Sequence, residues 1–168
     1  MLPTISWEDD AIVMVDQRKL PGQEVYVRCR TAPEVARAIK SMVIRGAPAI
    51  GVAAAMGLAI GMRRSKATGT QKFTAEFTKL CGLMAATRPT AVNLFWAIGR
   101  MKHSLSDGLL AGESTAQLIE RLEREARAIH DEAIACCREI GRYGGALIPD
   151  GARVLTHCNA GALATAGY

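Results

Sequence analysis

Aromatic residues are scarce in this chain: two tryptophans, three tyrosines and three phenylalanines, 5% of 168 residues. The tryptophans and tyrosines do not interleave with lysine or arginine clusters, and the basic residues are scattered. A nucleic-acid surface, which needs stacking platforms set in a cationic stripe, is therefore not expected. Cysteine is too sparse and too irregular to staple a fold. Five of them, an odd number without regular spacing, make neither a disulfide framework nor a zinc site. Cys136 and Cys137 are adjacent and ill placed to ligate one metal, so no metal is expected and a reducing cytoplasm fits best. The apolar run from Ala47 to Met62 falls short of the roughly 20 residues a bilayer span needs and is built of weakly hydrophobic Ala and Gly. Met1-Leu2-Pro3-Thr4 leads straight into a mixed polar segment, so neither a secretory leader nor a membrane partner is expected.

What is present is an apolar content of 49%, enough for a domain with a real core. Twenty-one basic residues against sixteen acidic ones give a net charge of +5. That excess suits a phosphorylated partner and equally serves solubility.

The β-branched runs Ile12-Val13-Met14-Val15 and Val25-Tyr26-Val27-Arg28-Cys29, separated by the turn Leu20-Pro21-Gly22, predict two or three short antiparallel strands over residues 4–30. Thr31-Ala32-Pro33-Glu34 has the form of a capping box and predicts a helix over 33–43. Pro48 suits the first turn of a second helix, reaching Met62, whose Ala, Gly, Ile and Met content predicts burial on most sides. Arg63, Arg64 and Lys66 at its far end complement the helix dipole. Phe73, Phe77, Leu80 and Met84 mark a third helix over 71–86. Leu94, Ile98, Met101 and Leu105 mark a fourth, with Thr90 as its expected N-cap and His103 as a surface or dipole partner near its end. Ser114 or Thr115 caps a long fifth helix with Leu118, Leu122, Ala126, Ile129, Ala133 and Ile140 as its stripe, ending at Arg142-Tyr143-Gly144-Gly145. On it His130 is expected in the core or at its rim, and Cys136 and Cys137 as small packing residues. Beyond Pro149-Asp150-Gly151, residues 152–156 read as a strand and 160–165 as a helix start, the opening unit of a parallel α/β sheet.

Three helix starts thus carry groups with chemistry in them. Arg45-Gly46 and Arg88 offer guanidinium forks for phosphate oxygens. Cys158 at a helix N-terminus would have its thiolate favoured by the dipole and by His157, which suits a base or a nucleophile. Together they point to an enzyme acting on a small phosphorylated metabolite. Arginines before helices also serve structure, and a cysteine is as readily buried and inert, so the residues alone leave both readings open.

Longer blocks narrow this. Leu2-Pro3-Thr4-Ile5, Val15-Asp16-Gln17, Leu20-Pro21-Gly22, Arg45-Gly46-Ala47-Pro48-Ala49-Ile50-Gly51, Thr87-Arg88-Pro89-Thr90-Ala91-Val92-Asn93-Leu94 and Leu155-Thr156-His157-Cys158-Asn159-Ala160-Gly161-Ala162-Leu163-Ala164-Thr165 occur in that order along the whole chain. In these blocks the chain resembles the methylthioribose-1-phosphate isomerases, which are related to initiation factor 2B. The resemblance implies an α+β fold: a mostly helical N-terminal domain with a few short strands over residues 1–148, then the first strand and helix start of a Rossmann-like domain over 149–168. It implies a homodimer that converts 5-methylthioribose 1-phosphate to 5-methylthioribulose 1-phosphate in methionine salvage, with no metal or organic cofactor. Carried over by position, Arg45, Gly46, Ala47 and Arg88 contact substrate and Cys158 is catalytic. An acid assists ring opening and hydrogen then moves between C2 and C1. Cys158 either takes the C2 proton or shapes a dry pocket for hydride shift. The arginines hold the reacting carbons toward the thiol.

The same resemblance admits a ribose-1,5-bisphosphate isomerase, which the run from Ala160 to Thr165 disfavours, and a non-enzymatic regulatory subunit, which Cys158 with both arginines disfavours. The family's aspartate partner for the cysteine has no counterpart within these residues. The 168-residue chain by itself is therefore expected to show no isomerase turnover, and a measurable rate in a sugar-phosphate assay would refute this.

Overall fold

Alternating Val and Ile favour extended backbone at the start of the chain. In the computed structural model, which describes residues 3–168, β1 (Ile5–Glu8), β2 (Ala11–Val15) and β3 (Tyr26–Cys29) form an antiparallel sheet in that order. Leu2 of the first block lies outside the described residues. Ile5 stands opposite Met14 and Ile12 opposite Cys29, and all four are buried. The middle strand β2 is buried along its length.

Helix α1 (Ala32–Lys40) begins with the expected capping box. The Glu34 carboxylate accepts from the Arg30 and Thr31 amides at 2.6 and 2.9 Å, and those backbone bonds, Arg30's above all, hold its carboxyl below the ordinary range. The helix ends at Lys40 rather than at 43. Met42 turns left-handed at φ 62°, and the Val43 amide reaches back to the Ala38 carbonyl at 2.9 Å while Met42 N–H takes Ile39 at 3.2 Å. This Schellman closure ends a helix whose apolar spacing continues beyond it.

Helix α2 (Ala47–Arg63) is the centre of the molecule, packed against α1, α3 (Thr70–Ala85), α4 (Val92–Leu110), α5 (Thr115–Gly145) and the sheet. Its small residues let these neighbours approach closely. A Cβ added at Gly57 would sit 2.6 Å from Met84 Cε and 2.8 Å from Val35 Cγ1, and one at Gly61 would sit 2.9 Å from Ala32 Cβ. Between α4 and α5, Arg100 donates to Glu125 at 2.5 Å and to both oxygens of Glu132. The N-cap of α4 is Ala91, not Thr90, because the Ala91 amide closes a tight turn onto the Arg88 carbonyl. Ser114 caps α5 in a full capping box with Gln117. His103 is exposed and lies 3.6 Å from Asp107, and His130 is half-buried at the rim, 2.8 Å from Asp131.

Helix α5 outruns the body it packs on. Leu118, Leu122, Ala126 and Ile129 are buried, whereas Ile140 is 66% exposed. Cys136 is exposed and Cys137 half-buried, so neither is the packing residue their place in the stripe suggests. Beyond Gly145 the expected strand at 152–156 is absent. Those residues are exposed coil, because a strand is held by its neighbour and among the described residues none pairs with this one. The expected helix start shrinks to one 3-10 turn, Ala162–Ala164.

Met42→Gly relieves the left-handed strain at the end of α1 and is expected to raise stability by about 0.5–1 kcal/mol in urea unfolding.

Candidate functional site

The start of α2 collects more of the candidate residues than any other place in the fold. Gly46 is its N-cap with φ 99° and ψ 136°, a conformation that favours glycine, and Pro48 fills the first turn. No side chain caps this end, and no acidic residue stands in its first turn. The positive end of a buried helix is therefore left to be met from outside the chain's own caps. Arg45 is exposed immediately before it and makes no ion pair among the described residues.

Arg88 lies in the α3–α4 loop. That loop feeds α4 toward the same end of α2: a Cβ at Gly51 would sit 2.9 Å from the Asn93 carbonyl oxygen. Thr87 beside it is buried, with its hydroxyl donating to the Met84 carbonyl at 2.6 Å. The Nη1 of Arg88 is buried and has no hydrogen-bond partner. Buried guanidinium nitrogens are ordinarily satisfied, and among the buried side-chain polar atoms of the described residues Arg88 Nη1 shares its lack of a partner with the Tyr26 hydroxyl alone.

The last block of the chain comes to the same corner by a route the sequence does not disclose. Ala164 packs on Gly46 so tightly that a Cβ there would meet the Ala164 carbonyl oxygen at 2.5 Å. Thr4 Oγ1 donates to the Ala162 carbonyl at 2.5 Å, and Gln17 Nε2 donates to the Leu163 carbonyl at 2.7 Å. The Gln17 amide also donates to the Val43 carbonyl at 3.0 Å. Thr4 and Gln17 are buried polar residues that spacing and residue type did not single out. Their signal was a polar residue at each end of an apolar strand pair. Gly46 therefore has a packing duty distinct from the substrate contact inferred for it.

Cys158 is exposed, with φ 61°, four residues before that anchor. It is in irregular backbone, not at a helix N-terminus as expected, because the 3-10 turn begins only at Ala162. It makes no contact recorded by hydrogen bonding with Arg45 or Arg88 among the described residues. Cys29 and Cys81 differ sharply: burial pushes both thiols up to about 11, which leaves them protonated and inert. No cluster of three metal-binding side chains occurs among the described residues, and no helix there is long and apolar enough to cross a membrane.

Asp16 adjoins this corner. It is buried, and Arg18 donates to its two oxygens at 2.8 and 2.6 Å, which holds its carboxyl below the ordinary range. A carboxyl depressed in the fold stabilises above its unfolded pKa of about 3.9, and that stabilisation disappears as pH falls through the folded value. Asp16→Asn is expected to lower stability at pH 7 and to flatten the acid loss below about pH 4, as read from urea unfolding at a series of pH values.

A family model described as the Initiation factor 2 subunit family matches residues 43–166. Methylthioribose-1-phosphate isomerases of Geobacter metallireducens and Geobacter sulfurreducens are 54% and 55% identical over 165 residues, covering 98% of this chain and 47% of each relative. The chain thus spans about half the length of the curated relatives it matches. Among solved structures, 5-methylthioribose 1-phosphate isomerase from Pyrococcus horikoshii superposes with a TM-score of 0.92 at 38% identity, over 99% of this chain and 46% of that one. The translation initiation factor eIF-2B subunit delta from A. fulgidus superposes with a TM-score of 0.85 at 40% identity, over 99% of this chain and 48% of that one. With most of its length matched by the family model and all of its architecture shared with these two structures, the chain belongs to the Initiation factor 2 subunit family.

Proposed function

We propose that this chain forms the N-terminal, substrate-binding part of an aldose–ketose isomerase that converts 5-methylthioribose 1-phosphate to 5-methylthioribulose 1-phosphate. The observation that carries the reading is the open corner at α2. An uncapped helix start with the unpaired Arg45 directly before it offers an anion backbone amides and a guanidinium fork, and the partnerless buried nitrogen of Arg88 in the α3–α4 loop supports a second fork. The substrate follows from relatives at more than half identity over nearly the whole chain.

On this reading Arg45 and Arg88 grip the phosphate, and Gly46 and Ala47 bring bare backbone up to the sugar. Cys158 faces C1 and C2, where hydrogen must move once the ring has opened. Residues 1–148 form the helical domain. Residues 149–168 open a Rossmann-like domain whose further strands would supply the ladder partners that 152–156 lacks. The protein works in the cytoplasm as a homodimer. Because the fold is shared with an initiation-factor subunit, fold alone does not separate catalysis from a regulatory role.

The decisive assay uses a protein of the relatives' full length that contains this chain. It is expected to isomerise 5-methylthioribose 1-phosphate in preference to ribose 1,5-bisphosphate. Arg45→Ala and Arg88→Ala should each raise KM about ten- to a hundredfold, the range for losing a charge-assisted bond. Cys158→Ser should lower kcat by roughly a hundredfold or more. Unchanged turnover in Cys158→Ser would favour the regulatory reading.

A further inference from the structure

Among the contacts that fix the end of the chain to its body, three fall on Thr4, Gln17 and Gly46, beside the packing of Gly167 on Pro3 and of Tyr168 under Arg138. Thr4 and Gln17 are nearly inaccessible, and each spends its side-chain donor on a main-chain carbonyl about 150 residues away, that of Ala162 or Leu163. Gly46 supplies the flat surface on which Ala164 lands. Gln17 is the hinge pin of the group. Its backbone amide holds Val43, two residues before Arg45, while its side chain holds Leu163, five residues after Cys158. One residue therefore ties together the segment bearing the anion-binding arginine and the segment bearing the thiol.

We infer that Gln17, with Thr4 and Gly46, is a positioning clamp that keeps Cys158 within reach of the Arg45 corner, an inference that rests on the catalytic reading of Cys158. The clamp is needed because residues 149–160 are accessible throughout, and nothing else among the described residues restrains the loop. Four residues separate Cys158 from Ala162, so an anchored Ala162 confines the thiol to within about 14 Å of it. Without the anchor the loop would be held only from the buried Ala166 onward, and the geometry that brings a thiol against reacting carbons would loosen.

The test has two arms. In the 168-residue chain, Thr4→Val and Gln17→Met keep shape and remove the donors. Hydrogen exchange at the amides of 164–166 is expected to rise about five- to tenfold in each, with the amides of α2 and α4 unchanged. Gly46→Ala, which leaves both donors in place, should loosen the same amides by steric expulsion, so a folding defect peculiar to one variant does not decide the matter. Wild-type exchange in all three would overturn the clamp. In the full-length protein, Gln17→Met is expected to lower kcat with KM for the sugar phosphate unchanged, the reverse of the arginine variants. Faster exchange with unchanged kcat would overturn the positioning role while leaving the isomerase reading intact. A wild-type protein without isomerase activity would sink that reading, and the positioning role with it, while exchange alone still decides whether the clamp exists.

Discussion

Close backbone approach to α2 is the constraint on which the rest of the structure depends. A helix of alanines and glycines has little side chain of its own to fill a core, so its neighbours must come in and fill it. Val35 and Met84 close over Gly57, Ala32 and Leu80 over Gly61, the α4 N-terminus over Gly51 and the chain's last turn over Gly46. Each contact leaves no room for a Cβ without displacement. The helix is buried because it is surrounded, and it can be surrounded because it is thin.

That arrangement also explains why the candidate site sits where it does. Burying a helix on all sides leaves its N-terminus as the place where its unpaired amides meet the surface. Here no side chain caps them, and Arg45 stands exposed directly before them. Leaving a buried guanidinium nitrogen unpaired costs on the order of 1–3 kcal/mol, which the fold tolerates at Arg88, whereas the partly exposed Arg18 and Arg100 are paired. Arg18 and Arg100 are satisfied by Asp16 and Glu132, while one nitrogen of Arg88 has no partner.

The far half of α5 repeats the lesson in hydrophobic form. Leu118 to Ile129 are covered by α2 and α4, but Ile140, Tyr143 and Leu147 continue the apolar content into open surface. A groove of about 350 Å³, with Pro48, Trp96, Cys136 and Ile140 on its walls, runs between α2, α4 and α5 beside the start of α2. The two cysteines that seemed fit for packing are on that wall, Cys136 exposed and Cys137 half-covered.

Local chemistry was readable wherever a few adjacent residues decide the outcome. The Thr31 capping box, Pro48 at the head of α2, the strand alternation and the apolar stripes of α3 and α4 all act within a turn or two, so spacing and residue type suffice. The family blocks made Arg45, Arg88 and Cys158 visible as candidates for the same reason. What tertiary structure decided was everything held by a distant partner. The end of α1 rests on Met42 accepting a left-handed turn against its ordinary preference. The stripe of α5 predicts burial at Ile140, but burial needs a second surface. Residues 152–156 carry strand propensity and no strand, because a ladder is made by two strands and no second one pairs here among the described residues. Thr4, Gln17 and Gly46 become meaningful only when the last turn of the chain returns to its first strand, and no pattern confined to either end records that meeting.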